Sequence, residues 1–173
     1  MIGRRTVNGS PTDLGYLDSM KQGDTAPDFE LADDKGTTRK LSSFLADGPV
    51  VLFFYPAAMT TGCTAEACHF RDAGADFAAV GAQRVGISLD SVAKQQEFSA
   101  KHSFDYPLLS DEGGRVAEQF GVKRGALLGK LTPVKRATFV IDTDRTVLAA
   151  FTSETKMKLH ADRALEVLKS KAA

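Results

Sequence analysis

A six-residue run, Val-Val-Leu-Phe-Phe-Tyr at 50–55, restricts the fold of this chain more than any other segment. Its residues are almost all β-branched or aromatic, and Gly48-Pro49 and Pro56 enclose it, which is typical of a short strand rather than a helix. Because no polar residue alternates with the apolar ones, both faces of this strand must be buried. That burial indicates a parallel or mixed sheet covered by helices.

The remaining sequence from about residue 20 alternates between strand and helix patterns. A turn at 33–36 separates two short strands, and a helical turn follows at 42–45. Beyond the central run we predict a helix at 63–80, a strand at 84–89, a helix at 91–102, a strand at 106–110, a helix at 113–121, a hairpin around 143–145 and a helix at 158–170. This order predicts an α/β domain with helices on both faces of one sheet.

The first 19 residues differ from the rest, because they are polar, rich in turn residues and without sustained periodicity. We interpret 1–19 as a flexible extension and 20–173 as a single domain. Ordered sequence begins at Met20, which is also a candidate start of translation. Arg4-Arg5 is not followed by an apolar segment, so we expect no signal peptide and a reducing, cytoplasmic location.

The charge balance excludes two classes of partner. The chain has 22 Lys plus Arg and 22 Asp plus Glu, which gives a formal net charge of zero. Proteins that bind nucleic acid or membrane surfaces carry a basic excess, so we expect neither partner. The run at 50–55 is far shorter than the ~20 apolar residues that a transmembrane helix needs.

The two cysteines of the chain, Cys63 and Cys68, lie in one short segment, TTGCTAEACH. The helix after the central strand opens near Thr60 or Thr61, which places Cys63 in its first turn. Free backbone amides and the helix dipole favour an anion there, and Thr60 is a suitable N-cap that accepts a bond from one of those amides. Since the thiolate is the reactive form of cysteine, Cys63 is a candidate nucleophile.

The spacing between the cysteines adds a conformational requirement. Five helical residues rotate Cys68 by ~140° from Cys63 and raise it by ~7.5 Å. A disulfide needs Cα atoms within about 7 Å and converging Cβ atoms. An intact helix therefore keeps the two sulfurs apart, and the pair can react only after the helix unwinds locally.

Two other interpretations remain open on the residues alone. Either cysteine could be a small buried apolar side chain, as most free cysteines are. Alternatively, Cys63, Cys68 and His69 could be three zinc ligands, although His102 and His160 stand apart and no second ligand pair has the usual spacing.

The segment FFYPAAMTTGCTAEACHFRD (53–72) resembles the active-site segment of peroxiredoxins, P-x-x-x-[TS]-x-x-C, with Pro56, Thr60 and Cys63 at the motif positions. The following C-T-x-E-A-C is similar to the Q-type subgroup, the bacterioferritin comigratory proteins, in which the second cysteine resolves the first. KRATFVID resembles the strand that carries the family's arginine, here Arg136. GDTAPDFEL, PLLSD and FGV also match, so the resemblance extends from about residue 20 to the C-terminus.

The resemblance implies a thioredoxin fold with peroxiredoxin insertions, that is, three α/β/α layers around a mixed sheet. It implies that Cys63 reduces hydrogen peroxide and organic hydroperoxides, that Cys68 resolves the sulfenic acid as a disulfide, and that thioredoxin or a similar dithiol recycles it. Arg136 would stabilise the thiolate and polarise the peroxide, Thr60 would bond at the sulfur or the attacked oxygen, and Pro56 would exclude water.

The same resemblance implies that no metal or organic cofactor is needed, and that the protein is a monomer, with a dimer as the alternative. Glu66 matches a family position, and we expect it only to favour the first helical turn. A competing hypothesis is a peroxide sensor or holdase, which would use the same cysteines without rapid turnover.

One position departs from the family pattern, because Thr61 stands where the family usually has proline. Proline suits the first helical position, and its absence should cost about 0.4–1 kcal/mol of preorganisation. We expect Thr61→Pro to stay active as a peroxidase and to slow amide hydrogen exchange in this helix roughly two- to fivefold. Exchange rates equal to those of the wild type would contradict this prediction.

Overall fold

The computed structural model describes residues 19–125 and 133–172, so nearly all of the predicted extension at 1–19 lies outside the described residues. The elements in chain order are β1 (Glu30–Asp33), β2 (Thr38–Lys40), α1 (Leu41–Leu45), β3 (Val50–Phe54), α2 (Thr61–Asp72), α3 (Gly74–Ala79), β4 (Gln83–Ser88), α4 (Val92–His102), β5 (Leu108–Ser110), α5 (Arg115–Gln119), β6 (Ala137–Ile141), β7 (Val147–Thr152) and α6 (Met157–Ala172). None of these helices combines the length and the apolar character needed to cross a membrane.

The seven strands form one mixed sheet in the order β2-β1-β5-β4-β3-β6-β7. Strand β3 lies near its centre, parallel to β4 and antiparallel to β6, and β4 is also parallel to β5. All five residues of β3 are buried, as the uninterrupted apolar run predicts. The expected mixed sheet is therefore confirmed.

Helices cover both faces of this sheet. Alternate residues of β3 point in opposite directions, so Leu52 and Phe54 join one apolar cluster while Val51 and Phe53 join another. The first cluster includes residues of α1 and α5, and the second includes residues of α2, α3, α4 and α6. The second cluster also contains Cys63, so the face that carries the cysteine helix is the one that forms the candidate site.

The start of β3 depends on a glycine. Gly48 has φ +137°, and a Cβ on it would lie 2.1 Å from the carbonyl oxygen of Gly81. That close approach allows β3 to start beside β4, with Val50 paired to Gln83. A side chain at position 48 would separate the two strands whose ends support the site.

The single helix predicted at 63–80 is wrong, because the chain forms α2 and α3 with a break at Ala73. The Arg84 guanidinium explains the break: its Nη1 donates to the carbonyl of Phe70 at 2.9 Å. In a continuous helix that carbonyl would accept the amide of Gly74 instead. The apolar spacing survives the break, since Phe70 and Phe77 both lie in the second cluster.

Candidate active site

Cys63 lies in the first turn of α2, as its distance from the central strand predicts. The side chain is buried, whereas Cys68, one and a half turns further along the same helix, is half-buried. Both thiols are free, and α2 is continuous between them. The intact helix thus holds the two cysteines on different sides, which agrees with the expectation from their spacing.

The loop before α2 is fixed by the neighbouring strand. The amide of Ala58 donates to Asp90 Oδ2 at 2.7 Å, and the Ser88 hydroxyl donates to the same oxygen at 2.6 Å. Met59 adopts a left-handed conformation with φ +68°, and Pro56, half-buried, begins the loop where β3 ends. These contacts fix the loop that carries the chain from the sheet into the cysteine helix.

The expected capping role of Thr60 is wrong. Thr60 occupies the N-cap position with extended backbone angles, but its side chain makes no cap hydrogen bond. Its hydroxyl donates instead to the carbonyl of Ala57 at 2.8 Å. Because no side chain caps the helix, the first amides of α2 keep their partial positive charge for an anion near Cys63.

Arg136 reaches Cys63 from the start of the strand next to β3, on the face of the sheet that α2 covers. Strand β6 is antiparallel to β3, with Ala137 opposite Phe54, and this pairing places Arg136 beside the loop that leads into α2. Arg136 is 5% exposed, and its Nη2 donates to Cys63 Sγ at 3.3 Å. The arginine and the cysteine, 73 residues apart in sequence, are thus brought into direct contact.

Glu66 has a larger part than the sequence indicates, and the expectation that it only favours the helical turn is wrong. It is fully buried, and its Oε2 accepts Nη1 of Arg136. Its other oxygen, Oε1, has no hydrogen-bond partner among the described residues. Burial raises the pKa of Glu66 to about 8 against the opposing effect of Arg136. Glu66 therefore holds the guanidinium, and its burial favours the neutral form of the carboxyl.

The charges of Arg136, Glu66 and Cys63 balance one another. Contacts with Glu66 and Cys63 raise the pKa of Arg136 although burial opposes them, so the guanidinium stays charged. One buried cation cannot fully compensate two anions in a site of low polarity. A protonated Glu66 leaves the positive charge available for the sulfur of Cys63.

His160 closes the far side of the site, at a position that no sequence pattern indicates. Its Nε2 lies 2.9 Å from the carbonyl of Ser153, which can only accept, so that nitrogen carries the hydrogen. The Thr138 hydroxyl then donates to Nδ1 at 2.8 Å, and Nδ1 lies 3.7 Å from Glu66 Oε1. Burial lowers the pKa of His160, which favours the neutral ring.

A pattern in β6 could have indicated part of this arrangement. Side chains two residues apart in a strand share a face, so Thr138 lies on the same face as Arg136. A polar residue at that position within an otherwise apolar strand predicts a polar partner on the covering layer. The identity of that partner, His160 on α6, depends on how α6 packs and is not visible in the sequence.

Gly62 allows other side chains to approach the cysteine. A Cβ at this position would lie 2.9 Å from Met157 Cε and 3.2 Å from Arg136 Nη2. The glycine before Cys63 therefore leaves room for the guanidinium and for the first residue of α6. Met157 is a further residue of the site that sequence reasoning missed.

The described residues contain no group of three His, Cys, Asp or Glu side chains that could hold a metal ion. His69 is a candidate zinc ligand on the sequence alone. Its Nε2 lies 2.7 Å from Asp162 Oδ1 on α6. A buried thiol at a helix start, in contact with a guanidinium and followed by a second thiol on the same helix, defines a thiol-based oxidoreductase.

Comparison with known proteins agrees with this class. Residues 22–150 match the model of the AhpC/TSA family. A putative peroxiredoxin of Mycobacterium tuberculosis is 66% identical over 87% of this chain and 97% of its own length, and peroxiredoxin Bcp of Bacillus subtilis is 41% identical over 87% and 96%. The chain therefore belongs to the AhpC/TSA family and is a peroxiredoxin, an oxidoreductase that reduces peroxides with a cysteine thiol.

Solved structures support the same assignment. The crystal structure of peroxidoxin BcpB from M. tuberculosis superposes with a TM-score of 0.83 at 66% identity, over 87% of this chain and 97% of that one. A structure of peroxiredoxin Q from Xanthomonas campestris superposes with a TM-score of 0.75 at 33% identity, over 84% and 92%. The predicted thioredoxin fold with peroxiredoxin insertions is confirmed, as is the resemblance to the Q-type subgroup.

The ionisation of Glu66 predicts how activity depends on pH. Below a pH of about 8 the carboxyl keeps its proton, and above it the carboxylate competes for the charge of Arg136. We expect the rate of Cys63 oxidation by hydrogen peroxide to fall roughly fivefold between pH 7 and pH 9.5. Glu66→Gln keeps an acceptor for Arg136 but cannot ionise, so its rate should stay level over that range.

Stopped-flow oxidation of both proteins across the pH range measures this difference. A wild-type rate that does not fall, or an equal alkaline fall in Glu66→Gln, would show that another group governs the reaction.

Proposed function

We propose that Cys63 is the peroxidatic residue of this peroxiredoxin. The observation that carries the proposal is the contact between Arg136 Nη2 and the buried Cys63 Sγ at 3.3 Å. The thiolate attacks one oxygen of the hydroperoxide, and the O–O bond breaks. The sulfur becomes a sulfenic acid, and the other oxygen takes a proton and leaves as water or an alcohol.

The surrounding residues have separate parts in this step. Arg136 stabilises the thiolate and then the negative charge that develops on the leaving oxygen. Thr60 ends the loop three residues before Cys63, and its hydroxyl, which donates to the carbonyl of Ala57, orients the peroxide. Pro56, half-buried where β3 ends, excludes water from the site. Glu66 keeps the guanidinium in place.

Cys68 resolves the sulfenic acid in the second step. Its thiol attacks the Cys63 sulfur, a disulfide forms, and the sulfenic oxygen leaves as water. Since α2 holds the two side chains apart, this step follows local unwinding of the helix. A dithiol reductant, thioredoxin or a similar protein, then returns both cysteines to thiols by exchange.

The substrates are hydrogen peroxide and organic hydroperoxides. One relative, the bacterioferritin comigratory protein of X. campestris, has alkyl peroxide reduction activity and is 33% identical to this chain. The partly apolar surroundings of Cys63, which include Met157 beside Gly62, suit an alkyl group. We infer that the protein acts as a monomer in the cytoplasm, where thioredoxin-type reductants keep its thiols reduced.

Rapid mixing with peroxide and thiol counting tests this function. One equivalent of hydrogen peroxide should remove two thiols from the wild type, one from Cys68→Ser and none by a fast reaction from Cys63→Ser. Adding thioredoxin, its reductase and NADPH should then give many turnovers in the wild type. Fast oxidation of Cys63→Ser would overturn the assignment, and a single oxidation without turnover would support the sensor hypothesis.

A further inference from the structure

A buried hydroxyl contacts the cysteine helix between its two thiols. Tyr106 Oη donates to the carbonyl of Ala67 at 2.6 Å, across 39 residues of sequence. Ala67 directly precedes Cys68, and both lie within α2. A carbonyl inside a helix already accepts the amide four residues later, so the tyrosine adds a second hydrogen bond at this point. The peroxidase chemistry described above makes no use of this bond.

The ring of Tyr106 is held on several sides. It stacks on Phe104 with centroids 5.3 Å apart and meets the edge of Phe53 at 5.8 Å, while the Arg84 guanidinium lies 5.0 Å from its centre. These contacts keep the hydroxyl pointed at the helix. Burial raises the pKa of Tyr106 well above its usual range, so the hydroxyl remains a donor.

The end of α2 is attached to the same segment of the chain. Arg84 bonds the carbonyl of Phe70 and forms a two-pronged ion pair with Asp105 at 2.9 and 2.8 Å. Arg71 Nη1 donates to the carbonyl of His102 at 2.7 Å. The helix is therefore tied to residues 102–106 directly at positions 67 and 71 and through Arg84 at position 70, and Cys68 lies between positions 67 and 70.

We propose that Tyr106 is a positioning residue that holds α2 closed and limits the rate at which Cys68 reaches oxidised Cys63. The proposal rests on the proposed resolution by Cys68. Bringing the two sulfurs together requires the backbone at Ala67 to leave its helical position, and the hydrogen bond from Tyr106 must break first. A single neutral hydrogen bond corresponds to roughly a fivefold effect on this opening.

This restraint has a chemical consequence. While the helix stays closed, Cys63 remains a sulfenic acid, and a second hydroperoxide can oxidise it to a sulfinic acid with release of water or an alcohol. Faster opening shortens the life of the sulfenic acid. Tyr106 thus also sets how much peroxide the enzyme tolerates before irreversible oxidation.

Tyr106→Phe, which removes only the hydroxyl, tests the proposal in the full-length reduced protein. One equivalent of hydrogen peroxide is mixed rapidly, and samples are quenched with an alkylating agent for mass spectrometry of Cys63 and Cys68. We expect formation of the sulfenic acid at the wild-type rate and formation of the disulfide roughly fivefold faster. At excess peroxide, the fraction of Cys63 converted to sulfinic acid should fall by a similar factor.

Tyr55→Phe is the matched control, because it loses another buried hydroxyl hydrogen bond, to Gln95 Oε1, and Gln95 lies outside α2. Its disulfide step should keep the wild-type rate. An unchanged or slower disulfide step in Tyr106→Phe, or equal acceleration in both variants, would overturn the proposal. Failure of the wild type to form any disulfide would instead overturn resolution by Cys68, and this proposal with it.

Discussion

The guanidinium of Arg136 between Cys63 and Glu66 is the interaction on which the rest of the site depends. It is a permanent charge with almost no exposure, and removing a charge from water is costly unless partners replace the lost hydration. Glu66 provides a hydrogen-bond acceptor that stays in place throughout the reaction. The sulfur of Cys63 provides a second acceptor, whose chemical state changes during the reaction. Burial raises the pKa of the carboxyl, which favours its neutral form and leaves the positive charge to the sulfur. The positive charge of Arg136 is therefore available to the sulfur of Cys63, the reacting atom.

The fold arranges this site by joining rigid and movable parts. Antiparallel pairing of β6 with β3 fixes the backbone next to Arg136, and the contacts of Asp90 fix the loop that leads into α2. The helix α2 has different attachments at its two ends. Its first turn is held through Arg136, and its last turns are held by residues 102–106. In the proposed mechanism, oxidation of the Cys63 thiolate removes the negative charge next to Arg136, which weakens the first attachment at the step that requires movement of Cys68.

The sequence predicts the fold well where the signal is local. The apolar run at 50–55 fits few structures other than a buried strand. The distance from that strand places Cys63 in the first turn of α2. The break between α2 and α3 was missed because it depends on Arg84, a residue of the neighbouring strand. The sequence also does not reveal the contact of Thr60, whose hydroxyl donates to the carbonyl of Ala57 and accepts no bond from a helical amide. Glu66 and His160 could not be assigned, because their burial follows from how α6 and β6 pack around α2.

The most direct test of the central claim is the rate at which Cys63 reacts with hydrogen peroxide in a single turnover when Arg136 is replaced by lysine. Lysine keeps the charge but lacks the planar group that reaches Glu66 and Cys63 together. If the shared guanidinium makes the sulfur reactive, Arg136→Lys should remain folded and oxidise roughly 100-fold more slowly at pH 7. A folded Arg136→Lys protein that reacts within about twofold of the wild-type rate would contradict the account, because a charge without the two fixed contacts would then be sufficient.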